Sequence, residues 1–353
     1  MLLTLKLHRM QLPREVVVGR GTLELVGDIS KRLGFSKTAF VVTGEKTIEI
    51  AGIRVIELLR KAGMTVRHIL VSSPTLWNVR AVEMKIKIRR PQLVLGVGGG
   101  AKIDVAKLSS ARCGIPYFSI PTTASHDGIA SPLASIKGLA KPFSVMAQSP
   151  MAIIADTDVI MKSAKRLTAS GCGDVIAKVT AVRDWRLAHK VKGEYYGAYA
   201  ASLALMSARL VMENAELMNP GDEEGLRILL EALISCGVAM AIAGSSRPGS
   251  GAEHMFSHAL DSVTFKSALH GEKCGLGTIM MGYLYGLDWK RIRDKLKRVG
   301  APTTAGELEI DPEDIIQALV RAGGVRPERY TILQEKPLSE EAARKVAEAT
   351  GVI

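Results

Sequence analysis

Apolar residues follow two different patterns along this chain. Up to about residue 156, short β-branched runs alternate with stretches whose apolar residues recur every three or four positions. The runs predict strands and the stretches predict amphipathic helices. The predicted strands are 15–18, 39–43, 66–71, 93–97, 117–120 and 152–155, and the helices between them are 22–33, 47–62, 78–89 and 102–113. This alternation favours a parallel sheet with helices on both faces.

From about Asp158 onward, the pattern is almost entirely helical. The segments 164–190, 195–218 and 223–243 are rich in Ala, Leu, Met and Glu, and strand-like runs nearly vanish. We therefore predict an α/β, Rossmann-like nucleotide-binding domain at 1–157 and an all-α domain at 158–353. Ligand sites favour such domain interfaces, so a cleft between the two halves is expected.

Composition narrows the class of protein. The chain has 353 residues, of which 47% are hydrophobic and 23% charged, which excludes disordered, collagen-like and disulfide-scaffold proteins. No run of about 18 uncharged apolar residues is present, so no membrane span is expected. The N-terminal run carries charges and has no clear cleavage site, so no signal peptide is expected. The cysteines form no C-x-x-C pair and indicate reduced thiols in a cytoplasmic protein; they are Cys113, Cys172, Cys236 and Cys274.

Charge suggests an anionic ligand. Lys and Arg number 47 against 35 Asp and Glu, for a net charge of +12. The basic residues are dispersed, and aromatic residues do not interleave with them as a stacking platform for nucleic acid requires. We expect no nucleic-acid partner, and a phosphorylated small molecule fits the charge better.

The segment 92–104, QLVLGVGGGAKID, is an apolar strand that runs into glycines and then a helix. Glycines let the backbone approach a pyrophosphate, and the helix N-terminus offers free N–H groups. The spacing partly fits G-x-G-x-x-A, with Ala101 in the last place, and it is not a P-loop. An ordinary strand–helix turn is the alternative.

A second loop, 120–135, reads IPTTASHDGIASPLAS and crowds hydroxyl groups around His126 and Asp127. A structural turn would explain its proline and glycine residues but not this concentration of polar side chains. The segment is either a polar binding loop or a turn.

The histidines form the sharpest pattern. His254 and His258 are four residues apart and share one helix face. His270 opens LHGEKCGLG, and Asp174, in GCGDVIAK, is predicted to start another helix. Histidines with a carboxylate and one open position are what a catalytic zinc site requires. A structural histidine pair is the alternative, and the metalloprotease motif is absent because Glu253 precedes His254.

Together these pieces resemble the superfamily of glycerol dehydrogenase, iron-type alcohol dehydrogenases and dehydroquinate synthase, over essentially the whole chain. Within it, GGGAKID, TTASHDGIASPLAS, SGAEHMFSHALD and LHGEKCGLGT are most similar to the archaeal-type sn-glycerol-1-phosphate dehydrogenases. The dehydroquinate synthase pattern has a Lys in the stretch after Pro-Thr-Thr that is missing here, and glycerol dehydrogenases tend to have Thr where His126 stands.

The resemblance implies roles for individual residues. The cofactor, NAD(H) or NADP(H), would contact Gly98, Gly99, Gly100, Ala101 and Lys102 at its pyrophosphate and Thr122, Thr123, Ala124, Ser125 and Ser131 on its nicotinamide side. One Zn²⁺ per subunit would be held by Asp174, His254 and His270. The substrate would contact Asp127, Asp174 and His258, and the candidate catalytic groups are Asp127 and His258.

The implied reaction is the reversible reduction of dihydroxyacetone phosphate to sn-glycerol 1-phosphate, which supplies the backbone of archaeal ether lipids. A homo-oligomer, a dimer or higher, is implied as well. The preference for NAD or NADP and the proton donor stay open, and Lys178, Arg183 and Lys273 are candidates for the substrate phosphate. Alternative functions are a glycerol dehydrogenase and a dehydroquinate-synthase-like lyase.

Overall fold

The structure, a computed structural model, describes residues 8, 10–137, 142–219 and 221–353. Most of the N-terminal run on which the signal-peptide prediction rests, residues 1–7 and 9, lies outside this part of the chain.

The N-terminal half is built on a six-stranded parallel sheet. Its strands are β1 (Glu15–Gly19), β2 (Thr38–Thr43), β3 (Thr65–Leu70), β4 (Leu93–Gly98), β5 (Tyr117–Pro121) and β8 (Ala152–Asp156). They pair in the order β1-β8-β5-β4-β2-β3. Each predicted strand is confirmed to within about two residues.

A two-stranded antiparallel hairpin, β6 (Leu133–Lys137) with β7 (Pro142–Met146), lies apart from the main sheet. The sequence analysis took its first strand as loop. Only Ala134 and Ile136 of that strand are fully buried, and a Ser and a Lys alternate with them. So short an alternation gives too weak a signal to separate a strand from a polar loop.

Helices cover both faces of the main sheet, as predicted. Neighbouring residues of β2 point to opposite sides, so Phe40 and Val42 join one hydrophobic core while Ala39 and Val41 join another. The helices of this half are α1 (Val26–Arg32), α2 (Glu45–Thr47), α3 (Ile53–Lys61), α4 (Leu76–Arg89) and α5 (Gly100–Arg112).

Beyond Asp156, the described residues contain helices and no strand, so the predicted fold class is confirmed. These helices are α6 (Thr157–Ile160), α7 (Lys165–Ile176), α8 (Lys178–Lys192), α9 (Ala198–Glu213), α10 (Glu223–Ala243), α11 (Ala252–Val263), α12 (His270–Leu284), α13 (Trp289–Arg298), α14 (Pro312–Ala322), α15 (Ile332–Glu335) and α16 (Glu340–Ala349). One hydrophobic core continues from the sheet into these helices. The division into domains 1–157 and 158–353 stays a prediction.

Two details of the helical half differ from expectation. The segment 164–190 forms two helices that meet at Ala177. Asp174 does not start a helix but lies in the last turn of α7, where it is buried. The helical periodicity runs through Ala177 without interruption, so it shows neither where α7 ends nor where α8 begins, and this explains both errors.

One helix, α10, is long and apolar enough to cross a membrane by length and composition alone, with a mean hydropathy of 2.0. In the structure, 72% of this stretch is buried inside the protein, as in the core helix of a globular fold.

The sheet changes its direction of winding at β2, because β3 lies on one side of it and β4 on the other. The loops that follow β2 and β4 therefore meet at the carboxyl edge of the sheet. Here the Lys102 side chain packs against Gly44, and Thr47 lies beside Gly98. Dinucleotides bind at such switch points in open α/β sheets.

Candidate active site

The glycine loop joins β4 to α5 at this edge. Gly98 has a φ of 149°, which a side chain would strain, and its carbonyl accepts a hydrogen bond from the Thr122 N–H at 3.1 Å. A Cβ at Gly100 would overlap the ring of His126. The loop therefore needs glycine so that the N-terminus of α5 and the polar loop after β5 can approach each other closely.

Lys102, the predicted pyrophosphate cation, stands one turn into α5. Its Nζ donates to the carbonyl of Ser72 at 2.9 Å, and partial burial lowers its pKa. The cation is thus held over the carboxyl edge of the sheet.

The polar loop after β5 reaches the same place. Thr122 and Ala124 are buried, and the hydroxyl groups of Thr123 and Ser125 lie 3.4 Å apart. A cavity of about 530 Å³ opens between the two halves. Of the predicted cofactor contacts, those that line it are Gly100, Ala101 and Ser131.

A buried lysine fixes this loop, and the sequence analysis missed it. Lys107 is fully buried in α5, and its Nζ contacts Asp104 at 3.1 Å and the carbonyls of Gly128 and Leu133 at 2.8 and 2.6 Å. It therefore ties α5 to both ends of the segment that carries Ser131. The available signal was the pair of Asp104 and Lys107, three residues apart on α5 among the apolar residues of 103–108.

Three helices bring together the residues predicted to hold a metal. Asp174 lies in the last turn of α7, His254 lies on α11 and His270 is the first residue of α12. The His254 Nε2 lies 3.6 Å from the Asp174 Oδ1, and the rings of His254 and His270 lie 4.9 Å apart. The donor atoms of His254, His270 and Cys274 lie within 4.8 Å of one another.

Cys274 was not predicted as part of this cluster. It lies one turn after His270, with its Sγ 3.7 Å from the His270 Nε2. Imidazole, carboxylate and thiolate groups are the ligands that zinc prefers, so the donor set fits zinc.

Charges around the cluster favour a cation. Burial lowers the pKa of His270 well below its ordinary value, so this ring is a neutral ligand at neutral pH. Burial also acts to lower the pKa of His254, but Cys274, Asp174 and Glu253 outweigh it and the pKa is raised. The pocket around the His254 ring thus stabilises positive charge.

Glu253 orients His254. Its carboxylate is fully buried and lies 2.8 Å from the His254 Nδ1, and it accepts from the Gly251 N–H at 2.6 Å and the Thr180 hydroxyl at 2.8 Å. When this carboxylate holds a proton on Nδ1, the opposite ring nitrogen, Nε2, is available as a metal ligand on the side that faces Asp174. Carboxylates orient metal-binding histidines in this way. The sequence analysis gave Glu253 no role, because the glutamate stands before the histidine.

A lysine joins the two predicted substrate-binding carboxylates. The Nζ of the fully buried Lys178 lies 2.7 Å from the Asp127 Oδ2 and 2.7 Å from the Asp174 Oδ1. The Asp127 N–H also donates to the Asp174 Oδ2 at 2.8 Å. Burial acts to raise the pKa of Asp174, but the charge of Lys178 together with the contacts of His254 and His270 outweighs it, and the pKa lies well below its ordinary value. Asp174 itself does not line the cavity.

His258 lies one turn beyond His254 and lines the cavity, with its ring 6.3 Å from that of His270. Burial, with the nearby charge of Arg326, lowers the pKa of His258 to about 3. The ring is therefore neutral at neutral pH and can donate one hydrogen bond and accept one.

The amino-acid sequence of this chain is more than half identical to those of several archaeal enzymes. A glycerol-1-phosphate dehydrogenase [NAD(P)+] of Pyrococcus furiosus is 53% identical over 347 residues, covering 98% of this chain and all of that one. One from Thermococcus kodakarensis is 55% identical over 348 residues, covering 99% of each chain. The chain belongs to the glycerol-1-phosphate dehydrogenase family. It is therefore an oxidoreductase.

Two comparisons with more distant proteins are consistent with this family assignment. The iron-containing alcohol dehydrogenase family model matches residues 17–164. The crystal structure of glycerol dehydrogenase from Schizosaccharomyces pombe has a TM-score of 0.81 at 21% identity, covering 98% of this chain and 91% of that one, which shows a shared fold.

In this member of the glycerol-1-phosphate dehydrogenase family, two of the three cations suggested for a substrate phosphate do not line the candidate site. Lys178 is buried between two carboxylates, and Arg183 lines a different cavity beside α9 and α13. Lys273 does line the candidate site but is paired with Asp261. The sequence analysis did not consider Arg326, which lines the site as well.

Proposed function

We propose that this chain catalyses the reversible, NAD(P)H-linked reduction of dihydroxyacetone phosphate to sn-glycerol 1-phosphate. The observation that carries the proposal is that a single cavity is lined by the N-terminus of α5 and by the histidines of α11 and α12. A dinucleotide with its pyrophosphate at that N-terminus would extend its nicotinamide toward the histidines. The relatives from Pyrococcus furiosus and Thermococcus kodakarensis are glycerol-1-phosphate dehydrogenases by name, which supports the same activity here.

Asp174, His254 and His270 are proposed to hold one Zn²⁺ per subunit, with Cys274 as an adjacent donor. Two imidazoles and a carboxylate are typical of catalytic zinc sites, which keep one position open. When bound, the metal would act as a Lewis acid on a carbonyl oxygen and the nicotinamide would supply hydride.

The chain's own groups would bind and orient the substrate. Lys178 holds one oxygen of Asp127, whose side chain is still 16% exposed, so this carboxylate is placed to accept a hydrogen bond from a substrate hydroxyl. His258 would donate its single N–H to a substrate oxygen. Because burial keeps the His258 ring neutral, we infer that a proton for the product would come from water, directly or relayed through this ring.

The decisive experiment is oxidation of NADH by zinc-loaded protein with dihydroxyacetone phosphate, with the product's enantiomer identified. We expect turnover to sn-glycerol 1-phosphate, loss of activity with a chelator and recovery with zinc. Full activity without metal would refute the zinc centre, and a 3-phosphate product would refute the stereochemical assignment.

The same assay separates the alternatives. A glycerol dehydrogenase would reduce dihydroxyacetone in preference to its phosphate. A dehydroquinate-synthase-like lyase would bind NADH but consume none over repeated turnovers.

The biological setting is proposed on the same basis. The enzyme would act in the cytoplasm as a homo-oligomer and supply the glycerophosphate backbone of ether lipids. Exposed apolar side chains on α9, at Tyr199, Met206 and Leu210, would suit a subunit interface. A monomer in analytical ultracentrifugation would refute the oligomer.

A further inference from the structure

Four cations whose side chains belong to the described residues line the candidate active site: Lys137, Lys266, Lys273 and Arg326. Lys266 is paired with Glu309 at 3.2 Å, and Lys273 is paired with Asp261. Lys137 is exposed at the end of the β6 strand. Arg326 differs from all three.

Arg326 is a half-buried cation without a partner. Within the described part of the chain, no group accepts a hydrogen bond from its guanidinium. Burial lowers its pKa from the ordinary value of 12.5, and Glu328 is the acid that counteracts this shift. A guanidinium remains charged at neutral pH even so. A partly desolvated charge without an acceptor costs stability, so the position favours an anionic ligand.

Neighbouring contacts hold the segment of Arg326 in place. The Arg326 carbonyl accepts from the Arg329 N–H at 2.9 Å. The Arg329 guanidinium donates to the Ser250 carbonyl at 2.8 Å and to the Ser246 hydroxyl at 2.7 Å. Both serines also line the cavity. The loop between α14 and α15 is thus tied to the loop before α11, and Arg326 is presented to the cavity from a fixed backbone.

Arg326 and the histidines together suit a small ligand that carries a carbonyl and an anionic group. Arg326 lines the same cavity as the histidines of α11 and α12, where the ring centres of His258 and His270 lie 6.3 Å apart. A ligand whose carbonyl faces His254 and His270 would therefore share this cavity with the guanidinium of Arg326. The planar fork of a guanidinium matches the paired oxygens of a phosphate.

We propose that Arg326 binds the phosphate of the substrate and so determines the preference for a phosphorylated over an unphosphorylated ketone. This assignment rests on the proposed function, because it requires a phosphorylated ketone as substrate.

The test compares kcat/KM for dihydroxyacetone phosphate and for dihydroxyacetone in wild type and Arg326→Gln. Loss of a desolvated charge–phosphate contact should reduce the ratio of the two kcat/KM values by roughly 30-fold or more. The Kd for NADH should stay near wild type, and kcat/KM for dihydroxyacetone should fall far less than kcat/KM for its phosphate. Arg321→Gln, an exposed position on α14, removes the same charge outside the cavity and should leave the ratio unchanged.

A second measurement distinguishes the loss of phosphate binding from general damage to the Arg326→Gln protein. Inorganic phosphate should inhibit dihydroxyacetone turnover competitively in wild type and much more weakly in Arg326→Gln, and Arg326→Lys should restore part of the difference. An unchanged ratio in Arg326→Gln, in an enzyme whose wild type prefers the phosphate ester, overturns the role of Arg326 and leaves the proposed function intact. A wild type that does not turn over dihydroxyacetone phosphate overturns the proposed function itself.

Discussion

Glu253 offers a direct test of how the metal centre is organised. Its carboxylate is the hydrogen-bond partner of the His254 Nδ1, at 2.8 Å, and has no exposure to solvent. Glu253→Gln keeps the shape and one acceptor oxygen but removes the charge. Glu253→Ala would also leave the Gly251 N–H and the Thr180 hydroxyl without their acceptor, so the glutamine variant isolates the electrostatic contribution.

The expected magnitude follows from this contact. A hydrogen bond to a charged acceptor contributes about 1.5–3 kcal/mol and one to a neutral acceptor about 0.5–1.5 kcal/mol, so the loss is roughly 1–2 kcal/mol. Loss of carboxylates behind metal-binding histidines typically weakens metal affinity about 10- to 100-fold. We therefore expect the Glu253→Gln variant to bind zinc at least about tenfold more weakly than wild type.

The assay is competition for zinc against a chromophoric chelator, with thermal unfolding of the metal-free proteins recorded in parallel. Asp184→Asn is the matched control. Asp184 is equally buried and accepts from the Ala252 and Ile332 N–H groups but contacts none of the clustered histidines. Burial and the charge of Glu253 raise the pKa of Asp184 to about 7, so its charge is already partly lost at neutral pH.

Zinc affinity in Asp184→Asn should stay within about twofold of wild type, since Asp184 shares no hydrogen bond with a ligand. A Glu253→Gln protein with wild-type affinity would refute the idea that this carboxylate orients His254. Equal weakening in both variants would show that general damage to the site, rather than the Nδ1 contact, is responsible.

Two further predictions address the histidines and the glycine loop. His254→Ala should lose bound metal, whereas His258→Ala should keep it and bind substrate more weakly; equal metal loss by elemental analysis would show that their roles are wrongly assigned. Gly99→Val should raise the Kd of NAD(P)H measured by fluorescence titration, because the nearest neighbour of a Cβ at Gly99 is the Thr123 Oγ1, 3.5 Å away, and the added bulk would face the cofactor. An unchanged Kd would place the pyrophosphate elsewhere.

The sheet could be predicted because its four inner strands, β2, β4, β5 and β8, are almost entirely buried. Runs such as 93–97 are continuously apolar, and helices with a strong periodicity separate them. The hairpin β6–β7 could not be predicted, because only alternate residues of β6 are buried. The break at Ala177 was missed because α7 and α8 share one uninterrupted helical pattern.

By itself, the sequence determined the fold class, the glycine loop after β4 and the pairs of functional side chains that lie close together along the chain, such as His254 with His258. These depend on periodicity and on residues within one or two turns of each other. Family membership also follows from motifs of this kind.

Only the tertiary structure decided which distant groups meet. It placed Lys178 between Asp127 and Asp174, added Cys274 to the histidine cluster and turned Arg183 toward another cavity. It also brought Arg326 to the same cavity as Gly100. The reason is physical: which cation faces a ligand, and which is neutralised by a buried carboxylate, depends on how α7, α11, α12 and their loops pack, and no local pattern along the chain records that packing.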